Sequence, residues 1–217
     1  MTERAQFLVE YPSPWFEFPL DPDVDPDRWA DAKAEELVLA AGGEDVPEIT
    51  RILRPDAAAL AAELRSRVSE YRRSAPSHAL GCYPPGVDTS DVGMEISWWG
   101  PDEEGSRVTD SSLLDAEGLV DLDRFVERVV VHELGDPLVE KDEVGAGPVV
   151  RIRQNYPGKR RSWFGGRPVI RALTHAIRPR GMTALVVANT LWTDAGLDEY
   201  IEPWVDGIVG TIRVVPA

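Results

Sequence analysis

The side chains best equipped for chemistry are three histidines, His78, His132 and His175, and one cysteine, Cys82. "HELGD" (132–136) opens like the zinc-binding helix of a metalloprotease, which sets two histidines four residues apart on one helix face. Here the second position is Asp136, and Gly135 reads as the stop of the helix, so His132 is expected to cap it or to face solvent. A thiol nucleophile needs a neighbouring base and a positive field to become a thiolate. His78 lies four residues before Cys82 in "HALGCYPPG", on the same face of a strand but about 13 Å away. Cys82 therefore reads as a small buried strand residue. His175, between Thr174 and Ala176 in a strand pattern, is expected to be half-buried and structural. Asp21, Asp23, Asp25 and Asp27 lack the central glycine and terminal glutamate of a calcium loop. The chain has no G-x-S-x-G elbow, phosphate-binding loop or G-x-G-x-x-G fingerprint. No catalytic residue, metal or cofactor is assigned.

Binding chemistry is easier to place. The net charge is -15, yet "YPGKRRSWFGG" (156–166) gathers three consecutive cations and two aromatics. Residues 1–145 hold 33 acids and 13 bases, residues 146–193 hold nine bases and no acid, and residues 194–217 hold five acids and one base. In "VVRIRQNY", Arg151 and Arg153 alternate with Val150 and Ile152, so they share one face of a strand, and Arg171 and His175 alternate similarly in the next. The candidate binding set is Arg151, Arg153, Lys159, Arg160, Arg161, Trp163, Phe164 and Arg171. Each guanidinium offers a planar fork that fits carboxylate or phosphate. Four readings stay open: pairing with the chain's own acids, an acidic protein partner, a polyanionic small ligand, and nucleic acid. The acidity of the remaining surface argues against nucleic acid. A hydrolase-like site around His175, Arg153 and Arg171 is the enzymatic alternative.

The elements that would carry these residues follow from pattern. "PWFEFPL" (14–20) reads as a short edge strand between prolines. Asp25 caps a helix with Pro26 at its first position and Gly42 and Gly43 as its stop, with Trp29, Lys33, Leu37 and Ala40 on one side. Leu60, Leu64, Val68 and Tyr71 form the apolar stripe of a second helix that Pro76 ends. "HALGCYPPG" and "VGMEISWWG" read as strands, with Met94, Ile96 and Trp98 alternating against Glu95, Ser97 and Trp99, and 101–120 as an exposed acidic loop. Asp121 caps a helix reaching Gly135, with Leu122, Phe125, Val126, Val129 and Val130 as its buried face. Residues 139–156, 167–177 and 182–194 read as three strands of an antiparallel meander, and "GAG" (145–147) as a bend before Pro148. The last helix runs over Leu197, Ile201, Trp204, Val205, Ile208 and Ile212, with Pro203 implying a late start or a kink near Glu202.

At 217 residues with 43% hydrophobic content, a single domain can bury a core without disulfides or metals. The lone cysteine fits a reducing compartment, and the start "MTERAQFLVEYPSPW" lacks the pattern of a secretory signal, so a cytoplasmic location is expected. No apolar run approaches the ~18 residues of a membrane span. Arg outnumbers Lys by 20 to 3, the usage of a high-GC bacterial genome.

The strand "VVRIRQNY", a longer strand, a turn, the apolar strand "ALVVANT" and a terminal helix running into "IVGTIRVV" resemble the PsbP/Mog-type α/β/α sandwich, which includes the LpqN-like actinobacterial proteins. The resemblance covers about 139–215. It implies a non-catalytic binding or assembly factor and no catalytic residues to carry over. The expected architecture is α+β: one domain over 1–217, an antiparallel sheet flanked by helices, with 1–76 a helical elaboration packed on the sheet. The expected function is a non-enzymatic adaptor or assembly factor that docks an acidic protein partner through the basic meander.

Overall fold

The fold comes from a computed structural model, which describes residues 5–40, 56–83, 92–99, 113–116, 118–158 and 167–216. Helices and antiparallel strands make it an α+β protein. The chain divides into two compact units, Ser13–Glu95 and the pair of segments Met1–Pro12 and Ile96–Ala217. Among the described residues, no helix is long and apolar enough to cross a membrane.

The smaller unit carries β2 (Trp15–Glu17), α1 (Pro26–Ala40), α2 (Ala57–Ser74), β3 (His78–Cys82) and the first half of β4 (Val92–Trp99). Asp25 starts α1 as its sequence position predicts. Its carboxylate accepts the N–H groups of Asp27 at 2.9 Å and Arg28 at 3.4 Å, which would otherwise lack helical partners. Asp56 caps α2 in the same way through Ala58 N–H at 3.1 Å. The predicted stripe of α2 packs Leu60, Leu64 and Val68 against Ala30, Ala34 and Leu37 of α1 and against Phe18, with Tyr71 partly buried. Ala40, expected on the packed side of α1, is exposed, and Gly42 and Gly43 lie outside the described residues. Strands β2 and β3 pair antiparallel with Trp15 opposite Cys82. At Gly81 a Cβ would stand 2.7 Å from the Phe16 ring and 2.8 Å from Phe18, so only glycine admits both rings.

The larger unit holds a sheet in the order β4–β8–β7–β6–β5, to which β4 contributes residues 96–99. The other strands are β5 (Leu138–Val144), β6 (Gly147–Pro157), β7 (Val169–Ile177) and β8 (Leu185–Trp192). The stretch 139–156, read from sequence as one strand, is therefore a hairpin. "GAG" is its tight turn, with Gly147 at φ +154 beside the Arg178 carbonyl, where a Cβ has no room. On one sheet face Val150, Ile152, Ala176, Leu185 and Val187 bury Phe125 of α3 (Leu122–Val129). Helix α4 (Asp198–Gly210) lies on the other. It starts at Asp198 and contains Pro203, so the late start expected from that proline does not occur. Separately, β1 (Ala5–Leu8) pairs antiparallel with β9 (Arg213–Pro216). Ile212, expected in the last helix, lies beyond its end.

Two further expectations are corrected. Helix α3 stops at Val129, six residues before Gly135, because Gln154 of β6 intercepts its end. The Gln154 amide donates to Val129 C=O at 3.2 Å and accepts Val131 N–H at 2.9 Å, and the chain leaves the helix in extended form at the β-branched Val130. Of its expected buried face only Phe125 is fully buried; Leu122, Val126, Val129 and Val130 are partly so. The segment read as an exposed acidic loop is buried at its end, where Leu113 and Val120 join the same core. In β4 both faces pack. Met94, Ile96 and Ser97 are buried, Trp99 meets Phe125 edge-on at 5.3 Å, and Trp98 meets Phe7 at 5.3 Å.

Candidate functional site

The cationic residues of the meander do converge, and the antiparallel register is the reason. Residues directly opposite one another across an antiparallel pair point to the same face. Glu140 stands opposite Arg151, and Arg151 opposite His175. Arg153 is opposite Leu138 and Leu173, and Arg171 is opposite Asn155 and Trp192. All of these side chains face α4.

Helix α4 answers them with acids at a spacing of four: Asp198, Glu202 and Asp206. That spacing places them in one row along a helix. Asp198 accepts Arg153 Nη2 at 2.8 Å, Arg171 Nε at 2.9 Å and the buried Trp192 indole N–H at 2.7 Å. Glu202 bridges Arg153 Nε and Arg151 Nη2, both at 2.6 Å. Asp206 Oδ1 accepts Arg151 Nε at 3.0 Å and His175 Nε2 at 2.8 Å. Glu140 takes Arg151 Nη1 at 2.9 Å, so all three nitrogens of that guanidinium are engaged. Arg171 also donates to Thr193 C=O at 3.0 Å. The Arg151 side chain is only 17% exposed.

Electrostatics follow the same geometry. Burial alone would lower the Arg151 pKa, but its hydrogen bonds to Glu202 and Asp206 and their charges hold it above the usual value. Burial alone would raise the Asp206 carboxyl, yet the hydrogen bonds from His175 and Arg151 pull it below the usual range. His175 is 4% exposed, more deeply buried than its sequence position implies. Its Nδ1 has no hydrogen-bond partner. Donation from Nε2 to Asp206 leaves Nδ1 a bare lone pair, which costs less than a bare N–H.

This arrangement pairs each of these cationic side chains with a carboxylate of α4. The only hydrogen-bond partner of the His175 ring among the described residues is Asp206. His175, Arg153 and Arg171 lie on one face; Arg153 and Arg171 share Asp198, while His175 attaches two turns further along α4, at Asp206. Cys82 is buried, and burial pushes its thiol up to about 12. His78 is paired through Nδ1 with Glu17 at 2.7 Å. His132 is exposed in a turn beyond α3, 3.4 Å from Asp136. Among the described residues, no three His, Cys, Asp or Glu side chains are grouped to hold a metal ion. Lys159, Arg160, Arg161, Trp163 and Phe164 lie outside the described residues.

Sequence reasoning missed the acidic half of the network. Its signal was present: the nine-base, acid-free stretch is followed at once by acids at 198, 202 and 206, one per helical turn. No protein-family model and no curated protein sequence matches the chain.

Proposed function

We propose that this chain is a non-enzymatic adaptor or assembly factor that docks an acidic protein partner through the segment between β6 and β7, where Lys159, Arg160, Arg161, Trp163 and Phe164 lie. Arg151, Arg153 and Arg171 are committed to Asp198, Glu202 and Asp206, which withdraws these three from the docking set and leaves the reading on the cations and aromatics of 159–164. Those guanidiniums brace the meander. Docking then falls to cations outside the network, and residues 159–161 supply three in a row beside two aromatics. Hydrogen bonding of Gly158 N–H to Pro168 C=O at 2.7 Å closes the base of that segment. A cytoplasmic setting in a high-GC bacterium, and kinship with the PsbP/Mog-type binding factors, belong to the same reading.

The test pairs two variants in affinity capture from the native host. Replacing Arg160 and Arg161 by Ser together with Trp163→Ser is expected to abolish recovery of an acidic protein and leave the thermal midpoint unchanged. Arg153→Ala is expected to lower the midpoint and leave capture by the folded protein intact. Undiminished capture by the first variant would defeat the proposal.

A further inference from the structure

The larger sheet ends at β5, which pairs with β6 on one side and with no strand on the other. Residues 138–143 are exposed and Val144 is partly so. The register fixes which backbone groups the free side offers. Val144 stands opposite Gly147 across a two-residue turn, so these two exchange hydrogen bonds, as does every second pair down to Leu138 with Arg153. Pro148 C=O points the other way, to Arg178 N–H at 2.9 Å, in keeping with that phase. The N–H and C=O groups of Val139, Lys141 and Glu143 therefore point off the sheet. The Glu143 N–H is closed locally by Asp142 Oδ1 at 2.8 Å. Those of Val139 and Lys141 have no backbone partner among the described residues.

A bare edge of this kind is a template for a further strand. The side chains decide which strand it accepts. Glu140 and Asp142 face the α4 side, and Val139, Lys141 and Glu143 the other. Lys141 and Glu143 are paired elsewhere, with Asp123 and Arg180. On the α4 side Arg151 is met by Glu140, Glu202 and Asp206 together, and Asp142 meets no cation among the described residues. That side of the edge is negative. A second copy of the chain is a poor occupant. Antiparallel pairing of β5 with β5 about a twofold at residue 140, 141 or 142 sets Glu140 against Glu140, Lys141 against Lys141 or Asp142 against Asp142. Like charges directly opposite destabilise a sheet. A strand with cations at alternate positions meets no such conflict. Its cations fall opposite Glu140 and Asp142 at the non-hydrogen-bonded sites, where facing side chains come closest. The cavity of about 620 Å³ beside α4, with Leu138, Val144, Val149 and Val209 in its lining, has room for their aliphatic stems.

We propose that the free edge of β5 docks an extended protein segment with lysine or arginine at alternate positions, added as a new edge strand of the sheet. Backbone hydrogen bonds to Val139 and Lys141 hold the segment, and Glu140 and Asp142 select its charge. This surface is separate from residues 159–166 and takes a partner of the opposite charge.

Fluorescence anisotropy of a labelled hexapeptide, TKTKVL, titrated with the full chain in about 150 mM salt tests this. Laid antiparallel, its lysines fall opposite Asp142 and Glu140 and its valine opposite Val139. Saturable one-to-one binding is expected, and the acidic peptide TETEVL should not bind. N-methylation of the second threonine, whose N–H donates to Lys141 C=O, should weaken binding about tenfold. N-methylation of a lysine, whose N–H is aimed away from β5, should leave the affinity within about twofold. Asp142→Lys should weaken binding about tenfold with the thermal midpoint unchanged. The Arg160/Arg161/Trp163 variant should bind the peptide like wild type, so this proposal and the docking reading fail separately. No binding at millimolar peptide, or equal affinity of the two N-methylated peptides, would overturn the proposal. So would a dimer of the chain in sedimentation that the peptide dissociates, since the occupant would then be a second copy.

Discussion

Removing the Asp198 carboxylate by Asp198→Ala tests the network where it is most heavily used. Three donors converge on it: Arg153 at 2.8 Å, Arg171 at 2.9 Å and the Trp192 indole at 2.7 Å. Trp192 is 1% exposed, so its N–H has the carboxylate as its partner in a buried setting. An orphaned buried donor costs about 1–3 kcal/mol. The two guanidiniums are part-exposed, at 30% and 18%, and recover some hydration, so their loss is nearer the surface-pair value of about 0.5–1 kcal/mol each. The sum is about 3 kcal/mol, a large share of the ~5–15 kcal/mol that holds a domain together. Asp198→Asn keeps an acceptor for the indole and loses only the charge, so about 1–2 kcal/mol is expected. Urea unfolding followed by tryptophan fluorescence measures both. A shift below about 0.5 kcal/mol for Asp198→Ala, the range of an ordinary surface change, would refute the reasoning.

Acid should weaken the fold through Asp206. Because its folded pKa lies below its unfolded one, its contribution is complete above the unfolded value and fades as pH drops below about 4; unfolding free energies of wild type and Asp206→Asn should differ in slope there, and parallel curves would contradict the assignment. Cys82 should resist a thiol reagent at pH 8 in the native protein and react on unfolding, as a buried thiol pushed up to about 12 must; prompt native labelling would disprove its burial. Gln154→Ala strips partners from Val129 C=O and Val131 N–H and should cost about 1–3 kcal/mol in urea unfolding, with no change expected if the amide is incidental.

What the sequence discloses is what local pattern determines. The Leu60–Leu64–Val68 stripe, the Asp25 and Asp121 capping positions, and the alternation of Arg151 and Arg153 each report on residues within a turn or two of themselves. The missed features depend on distant partners. Helix α3 ends early because of Gln154, 25 residues further on. Strand β1 exists because β9 lies beside it, with Phe7 opposite Val214. At 145–147 the sequence shows a bend but not the reversal of the hairpin, since a two-residue turn hardly interrupts the alternation. For the candidate site, the cationic face was readable from period two and the acid row from period four. Their mutual neutralisation required knowing that α4 lies across β6 and β7, which no single periodicity encodes.

The account of the candidate site depends on the meander's guanidiniums being occupied by α4. A double-mutant cycle between Arg153 and Glu202 addresses that most directly, because Glu202 Oε1 meets Arg153 Nε at 2.6 Å in a part-buried setting. A coupling energy of about 1–2 kcal/mol, within the range for contacting charged residues, is the expected result. Additive effects, with coupling below about 0.3 kcal/mol, would mean that these residues do not hold each other in solution and would return Arg153 to the pool of free docking cations.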